Sequence, residues 1–180
     1  MKGIRKISLA MVLIMILSFS TSIISFAAVR ITVNGDQTMV VGFSRRIYVT
    51  GTGSRTVTVT SSSDAVSVRK DSKSIIVTGK RAGSAYITVR VGSIKKRIHF
   101  VVLSINQAYL RVGDRLRKYN KNAFIADVDG GGPKALWLWT FPEGEDGYSL
   151  TIKLNLETGR AVCYYGLEYF KKIPKSFKIW

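Results

Sequence analysis

Imidazole and thiol chemistry is poorly supplied in this chain, which has one histidine, His99, and one cysteine, Cys163, in 180 residues. A catalytic triad needs a nucleophile, a base and an orienting acid around one point, and His99 stands alone in the middle of a strand-like run. It reads as a partly exposed strand residue. Metal sites built from histidine and cysteine clusters are excluded by the same counts. Cys163 has no partner for an intramolecular disulfide and reads as a small buried hydrophobe, with intermolecular pairing as the minor alternative. Only carboxylates such as Asp127, Asp129 and Glu145 remain for acid-base work, and they would have to converge in a pocket. The expectation is a protein that is not an enzyme and carries no cofactor.

A second long hydrophobic run is also missing. The first, Leu9 to Leu17, follows Lys2, Arg5 and Lys6, the basic and apolar regions of a secretory signal peptide. Small residues at Ser25 and Ala27 fit cleavage after Ala27 or Ala28, so residues 1–28 are expected to be removed. An uncleaved anchor would need the span to continue through Ile23 and Ile24, and three serines and a threonine between Ser18 and Ser22 oppose that. The expected product is secreted or wall-associated, without stable membrane insertion.

Acidic residues are scarce, 11 against 28 Lys and Arg. Without the three cations of the leader the balance is 25 to 11, a net charge of +14. Residues 29–103 hold 13 basic and 3 acidic side chains, and residues 104–180 hold 12 and 8. Such a protein is drawn to anionic polymer, which at a bacterial surface means teichoic acids, acidic polysaccharide or anionic lipid headgroups. A solvated basic surface with no dedicated ligand is the bland alternative. No recognition helix or aromatic RNA-binding motif accompanies the charge, so nucleic acid is not expected as a partner.

What is present begins with alternation. Val29, Ile31 and Val33 alternate with polar residues and end at Asn34-Gly35; Phe43, Ile47 and Val49, then Val57 and Val59, repeat the pattern. Further strands are expected at Ala65 to Val68, Ser74 to Thr78, Ala85 to Val91 and Ile94 to Leu103. The expected inward positions are Ile31, Val33, Ile47, Val49, Val57, Val59, Val66, Val68, Ile76, Ala85, Ile87, Val89, Ile98, Phe100 and Val102. Several short strands with turn residues between them make a β-sandwich.

Within this half, the Ser-Ser-Asp turn at Ser62 to Asp64, a short strand, the connection Gly79-Lys-Arg-Ala-Gly83 and the alternating GSAYITVRV resemble the bacterial immunoglobulin-like domain of group 2. Family members commonly carry a Trp just before this stretch, where Val59 and Thr60 stand here. The resemblance implies an immunoglobulin-like β-sandwich over residues 29–103, of the kind found in invasin-like and intimin-like proteins. It also implies a role in spacing or adhesion at the cell surface, without a catalytic site.

Residues 104–180 have another composition, with 13 of the 19 aromatics and all three tryptophans. A small aromatic-rich α+β or all-β unit is expected, with an antiparallel sheet. Ala108, Leu110, Val112, Leu116 and Tyr119 fit either a helix interrupted by Gly113 or a strand followed by a helix, and a short helix around Asp114 to Tyr119 is favoured. Ala123 to Asp129 and Ala135 to Phe141 read as strands. Leu150, Ile152, Leu154 and Leu156 alternate with polar residues on one arm of a hairpin, Glu157-Thr158-Gly159 turns, and Ala161, Cys163 and Tyr165 lie on the return strand. A helix followed by such a sheet is similar to small exported lipoproteins and protease- or lactamase-inhibitor folds. That leaves a secreted protein-binding inhibitor or regulator as the alternative function.

Two groups of residues are the candidate ligand contacts. Trp137 and Trp139 are two apart on one strand and share a face, which Phe141 continues. Aromatics in such a row either pack in a core, the default for a small unit, or form a platform that stacks on sugar rings. Basic residues Arg69, Lys70, Lys73, Lys80, Arg81, Lys95 and Lys96, with Arg45, Arg46 and Arg97, would attract anionic wall polymer. Asp127-Val128-Asp129-Gly130 opens like a calcium loop, but the closing carboxylate would fall at Leu138, so a turn after a strand is the better reading. Partners are therefore wall polymer, surface carbohydrate or another surface protein.

Overall fold

The computed structural model describes residues 28–72, 74–142, 150–167, 170 and 172–180. The expected leader, Lys73 and Glu145 lie outside them. The protein is mainly β, in three sheets that are antiparallel apart from one strand pair, with one helix among the described residues.

The first sheet runs β1 (Arg30–Asn34), β3 (Ser44–Thr50), β6 (Ser74–Gly79), β5 (Val66–Asp71). The second runs β2 (Thr38–Val40), β8 (Ile94–Leu103), β7 (Gly83–Val91), β4 (Val57–Ser61), with β2 parallel to β8. Period-two alternation decides which side chains meet between these sheets. Ile31 and Ile47 from the first pack with Ala85, Ile87, Val89, Val91, Ile98, Phe100 and Val102 from the second. One expectation fails here. Ile76 is half-buried on the opposite face, while Ile75 and Val77 are the core residues. Three consecutive apolar residues carry no period of their own, and the pairing of Ile47 with Ile75 sets which of them face inward.

The third sheet is β13 (Ser176–Lys178), β12 (Arg160–Tyr165), β11 (Leu150–Asn155), β10 (Ala135–Pro142), β9 (Ala123–Gly130). Its inner face packs on the helix α1 (Ile105–Leu116). The helix is longer than expected and starts earlier. Ser104 accepts from the Gln107 backbone N–H at 3.1 Å, and the Gln107 side chain accepts from the Ser104 N–H at 2.9 Å, a reciprocal cap that satisfies two otherwise unpaired donors. Ala108, Val112 and Leu116 recur at four-residue intervals and are fully buried, whereas Leu110 points to water. Gly113 does not interrupt the helix. The cost of about 1 kcal/mol for a helical glycine is outweighed by the buried face on either side of it.

The return strand β12 is irregular. Ile152 opposes Cys163, but its neighbour Thr151 opposes Tyr165, so one extra residue is inserted in β12 and the side-chain parity reverses. Tyr165 consequently leaves the inner face and is 73% exposed.

No linker separates the two parts, because Leu103 ends β8 and Ser104 caps α1. Val40 and Leu103 are buried within the core of the third sheet and its helix, with Phe43 and Val101 packed against it. Arg45 adds a polar tie. Its place in the alternation with Ile47 turns it inward, where it is 8% exposed. The guanidinium donates to the carbonyl oxygens of Asp36 (3.0 Å), Thr38 (3.1 Å) and Ser44 (3.1 Å), and reaches that of Glu157 in the β11–β12 turn at 2.6 Å. Burial pulls its pKa below the usual arginine value, partly opposed by the negative charges of Glu157 and Asp36.

Candidate functional site

The face of the third sheet opposite α1 holds the aromatic row. Leu136 and Leu138 of β10 point into the core, so Trp137 and Trp139 must point away from it. Both are half-buried and neither belongs to a core cluster. Cross-strand register then builds two rows over the open face. Asp129, Trp137, Lys153 and Val162 lie side by side in one, and Asp127, Trp139, Thr151 and Tyr165 in the other. Phe141 continues β10 opposite Phe124, which is 45% exposed.

Local contacts hold this arrangement. The Trp137 ring meets Tyr164 at 5.2 Å between centroids, tilted by 56°. Lys153 Nζ stands 5.1 Å from the centre of the same indole, within cation–π range. At the hairpin end, a Cβ on Gly131 would come within 3.1 Å of Trp137 Cδ1, so glycine lets the loop backbone close against the indole edge. The carboxylates of Asp127 and Asp129 each accept from the next backbone N–H, at 2.8 and 2.6 Å, and keep lone pairs free toward solvent. Among the described residues no group of three or more metal-ligating side chains comes together.

The basic candidates do not form one patch. Lys95 and Lys96 lie at the start of β8, and Lys96 Nζ donates to the Ile31 carbonyl at 2.7 Å. Arg69 and Lys70 are on the edge strand β5, where the Lys70 ammonium donates to the Val57 carbonyl. Lys80 and Arg81 sit in the β6–β7 connection, with Arg81 paired to Asp64. That connection is at the end of the first two sheets nearest the helix, and Lys95 is at the other, because β8 runs from Ile94 to Leu103 between them. Arg97 lies 3.7 Å over the Tyr86 ring, which His99 stacks on from the opposing strand at 4.7 Å. His99 is thus a surface packing residue. Cys163 is buried, and desolvation pushes its thiol up to about 11.

Sequence reasoning missed the company that the tryptophans keep. Tyr165 reaches the open face only because of the inserted residue in β12, which no turn residue signals. The placing of Asp127 and Asp129 opposite Trp139 and Trp137 follows from register, which pattern alone does not supply.

No family model and no curated protein matches the chain. Among solved structures, the crystal structure of the S-layer protein rSbsC(31-844) aligns with 82% of this chain and 23% of its own length, at 12% identity and a TM-score of 0.33. A likeness at that score carries no argument about role. Among the described residues, no helix is long and apolar enough to cross a membrane.

Proposed function

We propose that this is an exported, non-catalytic binding protein of the bacterial cell envelope, in which an immunoglobulin-like sandwich of group 2 type carries a carbohydrate-binding sheet. The observation that supports the sugar reading is that Trp137 and Trp139 together keep partial exposure on the face of the sheet turned away from α1. Indoles present a flat apolar surface to the C–H side of a sugar ring. Asp127 and Asp129, one beside each indole, offer acceptors to ring hydroxyls. A neutral or amino-substituted glycan fits the two rows around the indoles, since two carboxylates stand there against the single cation Lys153. The mature charge of +14 adds a general, salt-sensitive attraction to anionic wall polymer.

The test is co-sedimentation of the mature chain with insoluble wall glycan stripped of its anionic polymer. Retention that persists in high salt and is lost in Trp137→Ala and Trp139→Ala supports the reading. Retention unchanged in both variants removes it, and recovery of one defined protein through the same face instead would favour the inhibitor or regulator alternative.

A further inference from the structure

Along one flank of the seam between the first two sheets and the third runs a groove. On one side of it opens a cleft of about 800 Å³ between the β1–β2 turn, β3, the β11–β12 turn and β13. A second cleft of about 810 Å³ shares Ser44, Arg46 and Glu157 with the first and extends past Arg69 to Lys134 in the β9–β10 loop. Cations from both halves of the chain line this path: Arg46 and Arg69 from the first, Lys134, Arg160 and Lys178 from the second. Asp36 and Glu157 are the carboxylates that line the two clefts. Arg45 closes the floor with its guanidinium bound to four carbonyl oxygens and no carboxylate, so its positive charge is not cancelled by a contacting anion.

We propose that this groove binds a linear polyanion, one carrying phosphodiester or carboxylate groups at regular intervals. The inference rests on the attraction to anionic wall polymer put forward above and gives it a place. Each cation is held only loosely. Arg46 is 3.1 Å from Asp71, Lys134 is 2.9 Å from Glu157, and Lys178 pairs with Asp36, with the cationic side chains 47%, 65% and 60% exposed. Ion pairs in water contribute roughly 0–1 kcal/mol, so an incoming oxyanion displaces the carboxylate at little cost. Arg160 has a hydroxyl, that of Ser176 at 3.1 Å, where a carboxylate would otherwise sit. Guanidinium forks suit the paired oxygens of phosphate and carboxylate. Lys95 and Lys96 lie roughly 25 Å from the Leu103 end of their strand, given about 3.3 Å of rise per residue, and so belong to another surface.

Binding of the mature full chain to poly(glycerol phosphate) and to polygalacturonate, at low and at physiological salt, tests this. Arg160→Gln/Lys178→Gln is compared with Lys95→Gln/Lys96→Gln, which removes the same charge elsewhere. Unchanged melting and circular dichroism show that both fold. The expected result is a loss of roughly tenfold for the groove variant, about what two exposed ion pairs supply, with a salt slope shallower by about two. The control should stay within about twofold on the same reasoning. Tighter binding of either polymer supports the groove and identifies the anion. Equal losses in the two variants overturn the groove while leaving general charge attraction standing, and no binding of either polymer by the unaltered chain overturns both.

Discussion

Replacing Arg45 by Met keeps a long unbranched stem in the same space and removes four hydrogen bonds at once. Hydrogen bonds to charged groups contribute about 1.5–3 kcal/mol each, but Asp36, Ser44 and Glu157 line an open cleft, where their freed carbonyls regain water. The burial of the cation also carries a desolvation cost that Met does not. Setting these against each other leaves an expected loss of about 2–4 kcal/mol. For a protein of this size each kcal/mol lowers Tm by about 2–4 °C, so a fall of about 5–15 °C is expected. All three tryptophans lie in the second half of the chain, so their fluorescence follows that half while far-ultraviolet dichroism follows every sheet. In denaturant the unaltered chain should give coincident transitions by the two signals, because Val40 and Leu103 are buried in the core of the other half. Arg45→Met should lower both midpoints and separate them. Glu157→Ala, which keeps the backbone acceptor and removes the exposed ion pair with Lys134 and a carboxylate charge near Arg45, should cost about 1 kcal/mol, less than Arg45→Met. A Met variant as stable as the unaltered chain would refute the claim that Arg45 ties the halves together.

Gly79→Ala places a Cβ 2.8 Å from Val102 Cγ1 and 3.3 Å from the Val40 carbonyl, where β6 ends against the second sheet. Overpacking of about 1–3 kcal/mol is expected, read as a lower denaturation midpoint; an unchanged midpoint would mean that the two sheets are further apart there. Cys163, with its thiol pushed up to about 11, is only about one part in ten thousand thiolate at pH 7. Iodoacetamide should leave the native protein unmodified and label it on unfolding, and rapid labelling of the native protein would contradict the burial.

Much of the fold is legible in the residues where one face is wet and the other dry. In β7 and β8 alternation alone selects Ala85, Ile87, Val89, Ile98, Phe100 and Val102, and all of them are buried. Alternation stops informing where both faces are apolar, as at Ile75 to Val77, because the choice then belongs to the neighbouring strand. It misleads after an inserted residue, as at Tyr165. The helix start depends on a local exchange between Ser104 and Gln107, and its continuation through Gly113 on the buried face around it. For the site, spacing puts Trp137 and Trp139 on one face, and only the packing of Leu136 and Leu138 under α1 tells which face stays open. The basic residues are legible as charge but not as a surface, since the strands carry Lys80 and Lys95 to opposite ends.

The central claim, that Trp137 and Trp139 stack on sugar, is tested most directly by oxidation of the indoles with N-bromosuccinimide, resolved by peptide mass. Trp180 serves as the internal reference, because its ring packs on Gly159 on another part of the sheet. Saturating soluble wall-glycan fragments should protect Trp137 and Trp139 together while the rate at Trp180 is unchanged. Equal oxidation of Trp137 and Trp139 with and without glycan would contradict it.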